Sequence, residues 1–194
     1  LVNPKDVKKN NGTQCGDVLI LTKPLGVGLT LNALRMDDCS KEMQERVFKS
    51  MTTLNKYACD VLKKYDVHAL TDVTGFGLLV HLNEMKKKKN SAVIYKDSIP
   101  YFDDCQKYVE EFYLSGAAQT NRNSVEGKIR FDCDFFTEEI LFDPQTSGGL
   151  LASVSKADLE MLEKDFKENN LELYVVGEVI EKNEYNVYVR GRKI

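Results

Sequence analysis

Asp72 stands between two threonines in Leu70-Thr71-Asp72-Val73-Thr74-Gly75-Phe76-Gly77-Leu78-Leu79, where an apolar stretch gives way to a glycine-broken turn. A helix N-terminus opened by glycines presents backbone N–H groups that suit phosphate. A carboxylate beside it can hold the Mg²⁺ that accompanies phosphate, because Mg²⁺ takes oxygen ligands and few of them from protein. The same residues allow a plainer reading, in which Asp72 or Thr74 caps the helix and the glycines only permit a tight turn. A second segment, Phe142-Asp143-Pro144-Gln145-Thr146-Ser147-Gly148-Gly149-Leu150, has Pro144 to fix one bend and Gly148-Gly149 to free the next. Thr146 and Ser147 add hydroxyls. Such a loop can form a backbone anion nest. It can equally be a strand-entry turn whose Thr and Ser satisfy local backbone groups. Neither segment matches G-x-x-x-x-G-K-[ST] or G-x-G-x-x-G, which disfavours a Walker ATPase or a dinucleotide-binding domain.

The elements that must position these segments follow from apolar spacing. Residues 17–24 read as a strand stopped by Pro24, and 26–28 break it. A long helix is predicted over 41–65, with Ser40 as N-cap. Its apolar residues Met43, Val47, Met51, Leu54, Ala58, Val61, Leu62 and Tyr65 step by three and four, giving one buried stripe. Residues 68–73 read as a short buried strand or loop, 76–89 as a helix, 91–95 as a strand and 101–112 as a helix. Residues 114–134 are polar and loop-like. Residues 149–154 read as a strand, and Ser155 is read as capping a helix with Leu159, Leu162 and Phe166 inward. Two strand-like runs, 171–180 and 185–190, read as a hairpin across 181–184. Strands interleaved with helices predict one α+β (α/β layered) domain over residues 1–194, a mixed β-sheet flanked by α-helices.

Composition narrows the setting. With 194 residues, 42% of them apolar, the chain can bury a real core. No apolar run approaches the roughly 20 residues that cross a bilayer, so no membrane role is expected. A net charge of −3 speaks against general nucleic-acid binding. The five cysteines (15, 39, 59, 105 and 133) are widely spaced without C-x-x-C, as expected of free thiols in a reducing cytoplasm. His68 and His81 lack metal-ligand spacing and read as structural or surface residues. The lysines 86–89 read as a solvated cap on a helix C-terminus.

Four blocks in order, 16–26 (GDVLILTKPLG), 71–79 (TDVTGFGLL), 116–123 (GAAQTNRN) and 143–151 (DPQTSGGLL), resemble the selenophosphate synthetases, or selenide, water dikinases. The wider superfamily includes aminoimidazole ribonucleotide (AIR) synthetase, thiamine-phosphate kinase and a hydrogenase maturation factor. Val80 departs from the family's usual Gly and Val27 from its frequent Thr. The resemblance implies an AIR synthase C-terminal-domain-like fold, and conversion of ATP, selenide and water to selenophosphate, AMP and orthophosphate with Mg²⁺. Asp72 carries over as a metal ligand. Thr71, Thr74, Gly75 and Gly77 would shape that corner, and Thr146, Ser147, Gly148 and Gly149 would line a phosphate or substrate cleft. The resemblance also implies that this chain, which starts at Leu1 without Met, is the C-terminal part only. The nucleophilic Cys or selenocysteine, a Lys, two further metal-binding aspartates and most nucleotide contacts are then expected in an N-terminal domain that this chain lacks. No catalytic residue is assigned to the chain itself, which alone would be inactive, and Cys15 is not taken as the thiol. A homodimer is implied for the full-length protein. Another phosphotransferase of the superfamily, or a non-catalytic binding or dimerisation module, is the alternative.

Overall fold

The structure is a computed structural model that describes residues 8–86 and 88–192. Its strands are β1 (Val18–Leu21), β2 (Val67–Asp72), β3 (Asn90–Tyr95), β4 (Ile129–Phe131), β5 (Leu150–Val154), β6 (Tyr174–Glu181) and β7 (Val187–Arg190). They form one mixed sheet in the order β2-β5-β1-β6-β3-β7-β4. All pairings are antiparallel except β3 with β7 and β4 with β7, which are parallel. The helices are α1 (Val27–Arg35), α2 (Lys41–Thr52), α3 (Lys56–Leu62), α4 (Gly77–Met85), α5 (Cys105–Glu110), α6 (Gly116–Ser124), α7 (Phe135–Phe142) and α8 (Leu159–Glu168). The predicted α+β layered sheet with flanking helices is therefore present.

Successive residues of a strand face opposite sides, and both sides of this sheet are covered. Leu19 and Leu21 of β1 enter the larger core with residues of α1, α2, α4, α5 and α7. Val18 and Ile20 enter a smaller core with Ala58, Val61 and Leu62 of α3 and Leu162 and Phe166 of α8. Burial on both faces is why β1 reads as an unbroken apolar run and why β3 holds Ala92, Val93, Ile94 and Tyr95 in succession rather than alternating with polar residues. Each fully buried Leu or Ile here contributes roughly 1.5–3 kcal/mol by leaving water.

Several sequence expectations change. The helix over 41–65 is two helices, because its stripe serves two cores. Met43 and Val47 pack into the larger core, while Ala58, Val61 and Leu62 pack into the smaller one. The chain crosses between the two at residues 53–55, leaving Leu54 60% exposed. The polar stretch 114–134 holds α6 and β4. In α6 only Ala118 and Asn121 are buried, so the helix has no apolar stripe to read, and the Ser115 hydroxyl accepts from the Ala117 N–H to start it. Residues 27–35 and 135–142, given no element from sequence, are α1 and α7. The hairpin does not exist as such: β3 lies between β6 and β7. The Ser91 hydroxyl on β3 donates to Tyr185 O (2.7 Å) and accepts from Asn183 N–H (3.0 Å), threading the turn. Ser155 makes no side-chain cap; a 3-10 turn at Lys156–Asp158 intervenes before α8. The helix over 76–89 ends at Met85, with Lys86 half-buried, Lys88 and Lys89 exposed, and Lys87 outside the described residues.

The cysteines are free thiols, as expected. Among the described residues, no helix is long and apolar enough to cross a membrane.

Candidate functional site

The antiparallel pairing of β1, β2 and β5 brings three chain segments to one end of the sheet. Asp72, the last residue of edge strand β2, pairs with Leu150, the first of β5, and Leu21 pairs with Leu151. The residues just beyond these strands, 22–24, 73–77 and 143–149, therefore lie together. The two segments singled out by residue type are neighbours in space.

The 73–77 turn is held from four directions. Val73 N–H donates to Gly149 O (2.9 Å), and both Gly77 N–H (3.0 Å) and Gln145 N–H (3.1 Å) donate to Thr74 O. Thr74 N–H donates to His81 Nε2 (3.2 Å), and the Thr74 hydroxyl lies 3.1 Å from the same nitrogen. Burial lowers the His81 pKa against the opposing pull of Glu84 and Asp72, and the Thr74 N–H donating to Nε2 makes that nitrogen the acceptor. Asn121, almost fully buried on α6, donates through its amide to Gly75 O (2.9 Å) and Phe142 O (3.2 Å). Gly77 has φ +71°, and a Cβ there would meet Phe142 O at 2.8 Å, so this glycine is required by close packing.

Helix α4 begins with Phe76 as N-cap and no side-chain cap bond. Neither Asp72 nor Thr74 caps it, so the plainer sequence reading fails on this point. The Asp72 carboxylate is exposed and, among the described residues, takes part in no hydrogen bond or ion pair. Thr71 is half-buried, its hydroxyl donating to Asp72 O (3.3 Å).

The 143–149 loop divides its labour. Ser147 O accepts from Lys23 Nζ (2.9 Å), Gly148 O from Asn55 Nδ2 (2.8 Å), and Gly149 O from Val73 N–H (2.9 Å). Three successive carbonyls are thus drawn inward. Gly148 packs so closely that a Cβ would stand 2.3 Å from Val73 O. Gly148 and Gly149 are buried, whereas Thr146 and Ser147 are exposed, and among the described residues their hydroxyls have no partner.

Asp143 and Gln145 do something sequence reasoning missed: they cap α1 from far away in the chain. Asp143 Oδ2 accepts from Gly28 N–H (2.9 Å) and from Gln145 Nε2 (2.8 Å), and Gln145 Oε1 accepts from Val27 N–H (3.3 Å). Asp143 Oδ1 is buried without a partner. Burial pushes the Asp143 carboxyl up to about 7, although Gly28 and Gln145 pull it down. The clue lay in the D-P-Q and G-V-G triplets, each ordinary on its own. Lys23, Asn55 and Asn121 were likewise not assigned roles from sequence.

Among the described residues, no group of three His, Cys, Asp or Glu side chains is placed to hold a metal ion. The corner offers one uncommitted carboxylate, Asp72, with two free hydroxyls nearby in the fold. That donor chemistry fits a hard cation such as Mg²⁺, which keeps most of its coordination for water and phosphate. It fits as a contribution, since one carboxylate does not make a site.

The pattern of the AIR synthase related protein, C-terminal domain, matches residues 14–190. The chain belongs to this family. The AIR synthase related domain is 40% identical over 187 residues to a selenide, water dikinase of Desulfitobacterium hafniense, covering 96% of this chain and 55% of that protein. It is 43% identical over 190 residues to the selenide, water dikinase of Agathobacter rectalis, covering 97% and 56%. The chain thus spans about half the length of the curated relatives it matches. Among solved structures, it resembles a thiamine-monophosphate kinase from Stenotrophomonas maltophilia at TM-score 0.68 and 16% identity, over 100% of this chain and 56% of that one. A hydrogenase maturation protein of E. coli superposes at TM-score 0.64 and 16% identity, over 94% and 48%. These two share the AIR synthase-like fold.

Proposed function

We propose that this domain is the C-terminal part of a selenide, water dikinase, which converts ATP, selenide and water to selenophosphate, AMP and orthophosphate. One observation carries the reading. At the sheet end where the family blocks converge, Asp72 presents a carboxylate that the fold does not use, in a chain about 40% identical to proteins of that name along nearly its whole length. In this reading Asp72 holds Mg²⁺. The ion supplies charge neutralisation to the phosphates during transfer. The side chains of Thr146 and Ser147 donate hydrogen bonds to phosphate oxygens, while their loop is kept in place by its inward carbonyls. Thr71, Thr74, Gly75 and Gly77 fix the backbone that aims Asp72. Gly148 and Gly149 act by letting the loop approach β1 and β2, without touching ligand.

The nucleophilic Cys or selenocysteine, its Lys and further metal carboxylates belong to an N-terminal domain, which is this domain's partner together with ATP and selenide. A cytoplasmic homodimer is the working form in this reading. Transfer depends on groups held in one geometry, so the domain alone is silent. Phosphorus NMR for AMP and selenophosphate tests this on the 194-residue chain and on a full-length protein. Selenide-dependent AMP formation by the full-length protein alone is expected. Turnover by the isolated chain overturns the shared site, and selenide-independent AMP formation points to another phosphotransferase of the superfamily.

A further inference from the structure

A cavity of about 570 Å³ opens beside the sheet end just described, between the β1 exit, the 53–55 crossing, residues 100–103 and residues 170–174. That volume is within the range of roughly 300–1,000 Å³ typical of small-ligand sites. Its wall contains Lys23, which is only 6% exposed. The Lys23 ammonium donates to Thr53 O (2.7 Å) and Ser147 O (2.9 Å), which leaves one of its three N–H bonds over. Among the described residues no carboxylate pairs with it. An ammonium buried without a counter-charge is costly, and burial accordingly lowers its pKa.

The same wall holds Asn55. Its amide nitrogen is committed to Gly148 O, and its Oδ1 is buried with no donor. Lys23 and Asn55 are anchored on consecutive carbonyls, Ser147 O and Gly148 O, so their heads are neighbours. Arg46 and Lys49 also line the cavity, with Arg46 paired to Asp103 (2.6 Å). The wall thus has a spare cationic donor next to a spare neutral acceptor.

We infer that this cavity binds inorganic hydrogen phosphate. A ligand that satisfies both groups must be anionic and must also carry a hydroxyl. Hydrogen phosphate does both: a charged oxygen accepts from Lys23 Nζ, and its P–OH donates to Asn55 Oδ1. Sulfate has the same charge and shape but no proton at neutral pH, so it leaves Asn55 Oδ1 orphaned. An unpaired buried polar group is what makes such sites discriminate strongly. A singly esterified phosphate is mostly stripped of its remaining proton at neutral pH, since that pKa lies near ~6, and it resembles sulfate in this respect.

The test reads acylation of Lys23 by mass spectrometry of the purified protein at fixed ionic strength, with the exposed lysines as internal standard. At phosphate about four times its dissociation constant, labelling of Lys23 slows about fivefold. Sulfate and methyl phosphate at the same concentration give little protection. In Asn55→Leu, phosphate and sulfate protect Lys23 alike. Protection in Asp72→Asn equals that of the parent, which separates this site from the proposed reaction. Equal protection by phosphate and sulfate in the parent protein, or protection by neither, overturns the assignment without recourse to any variant.

Discussion

Replacing Asp143 with asparagine removes a carboxyl that is 1% exposed and, among the described residues, faces no cation. Its two nearest donors, Gly28 N–H and Gln145 Nε2, both serve Oδ2. Oδ1 has none, so the desolvation of a whole charge is met by hydrogen bonds on one side. The folded carboxyl therefore titrates near 7, against about 4 in an unfolded chain. The sign follows from proton uptake. Between those two values the folded state binds more protons than the unfolded one, so Asp143 costs stability as pH rises and its full penalty is present above 7. Three units correspond to about 4 kcal/mol, of which ~3 kcal/mol develops between pH 4.5 and 7.5. Burial is nearly complete, so solvent screening does not reduce this. His81 works in the opposite sense: its depressed pKa removes stability as pH falls below the unfolded value of about 6.5. That contribution cancels when the variant is subtracted from the parent. Urea unfolding of both proteins at half-unit steps of pH should show Asp143→Asn gaining ~3 kcal/mol on the parent from pH 4.5 to 7.5. A difference that stays flat across this range refutes the argument that burial governs Asp143.

Asp72→Asn in a full-length protein should abolish Mg²⁺-dependent formation of AMP with no loss of unfolding free energy, since the side chain makes no contact the fold uses; unchanged turnover removes Asp72 from the site. Asn121→Ala leaves Gly75 O and Phe142 O without their buried donor, and should cost about 2–4 kcal/mol in chemical denaturation; a loss below 1 kcal/mol contradicts the bridging role. Gly148→Ala must push a methyl group against Val73 O, 2.3 Å from the ideal Cβ, and should lower the melting temperature of the chain by several degrees, roughly what 1–3 kcal/mol produces. Thr146→Ala is the mirror case: thermal unfolding stays within about 0.5 kcal/mol of the parent, while the KM for ATP rises in the full-length enzyme.

What the residues disclosed in advance depended on how local the cause was. The Asp72 turn and the 146–149 loop could be picked out because small, hydroxylated and acidic residues cluster there without apolar periodicity. Strands β1, β3 and β5 could be placed because a doubly covered strand holds apolar residues in succession, here Val18–Leu21, Ala92–Tyr95 and Leu150–Ala152. The break at 53–55 was hidden, because a step of three and four suits a helix facing either core and says nothing about a change of core midway. The supposed hairpin failed for a related reason. A four-residue connection between two strand-like runs favours pairing, but β3 offers both strands a better partner, and that preference lies in residues about ninety positions away. Helix α6 was invisible because its order comes from Asn121, the Ser115 cap and the 2.5 Å contact of Arg122 with buried Glu139, not from an apolar face.

The inward turn of three successive carbonyls at 147–149 explains how so polar a loop stays ordered. A loop of Thr, Ser and two glycines has little side chain to bury, and glycine adds conformational entropy to the unfolded chain. Here the ordering comes from outside: Lys23 from β1's exit, Asn55 from the crossing into α3 and Val73 from β2's exit each take one carbonyl. Those three residues stand where the chain leaves the larger core, enters the smaller one, or ends an edge strand. The loop's carbonyls thus tie together the exit of β1, the crossing between the two cores and the exit of β2. Side chains at 146 and 147 are left out of that work, as Asp72 is. A position whose side chain the fold does not use is one where chemistry can vary without unfolding the protein, and Asp72, Thr146 and Ser147 all lie at the same end of the sheet.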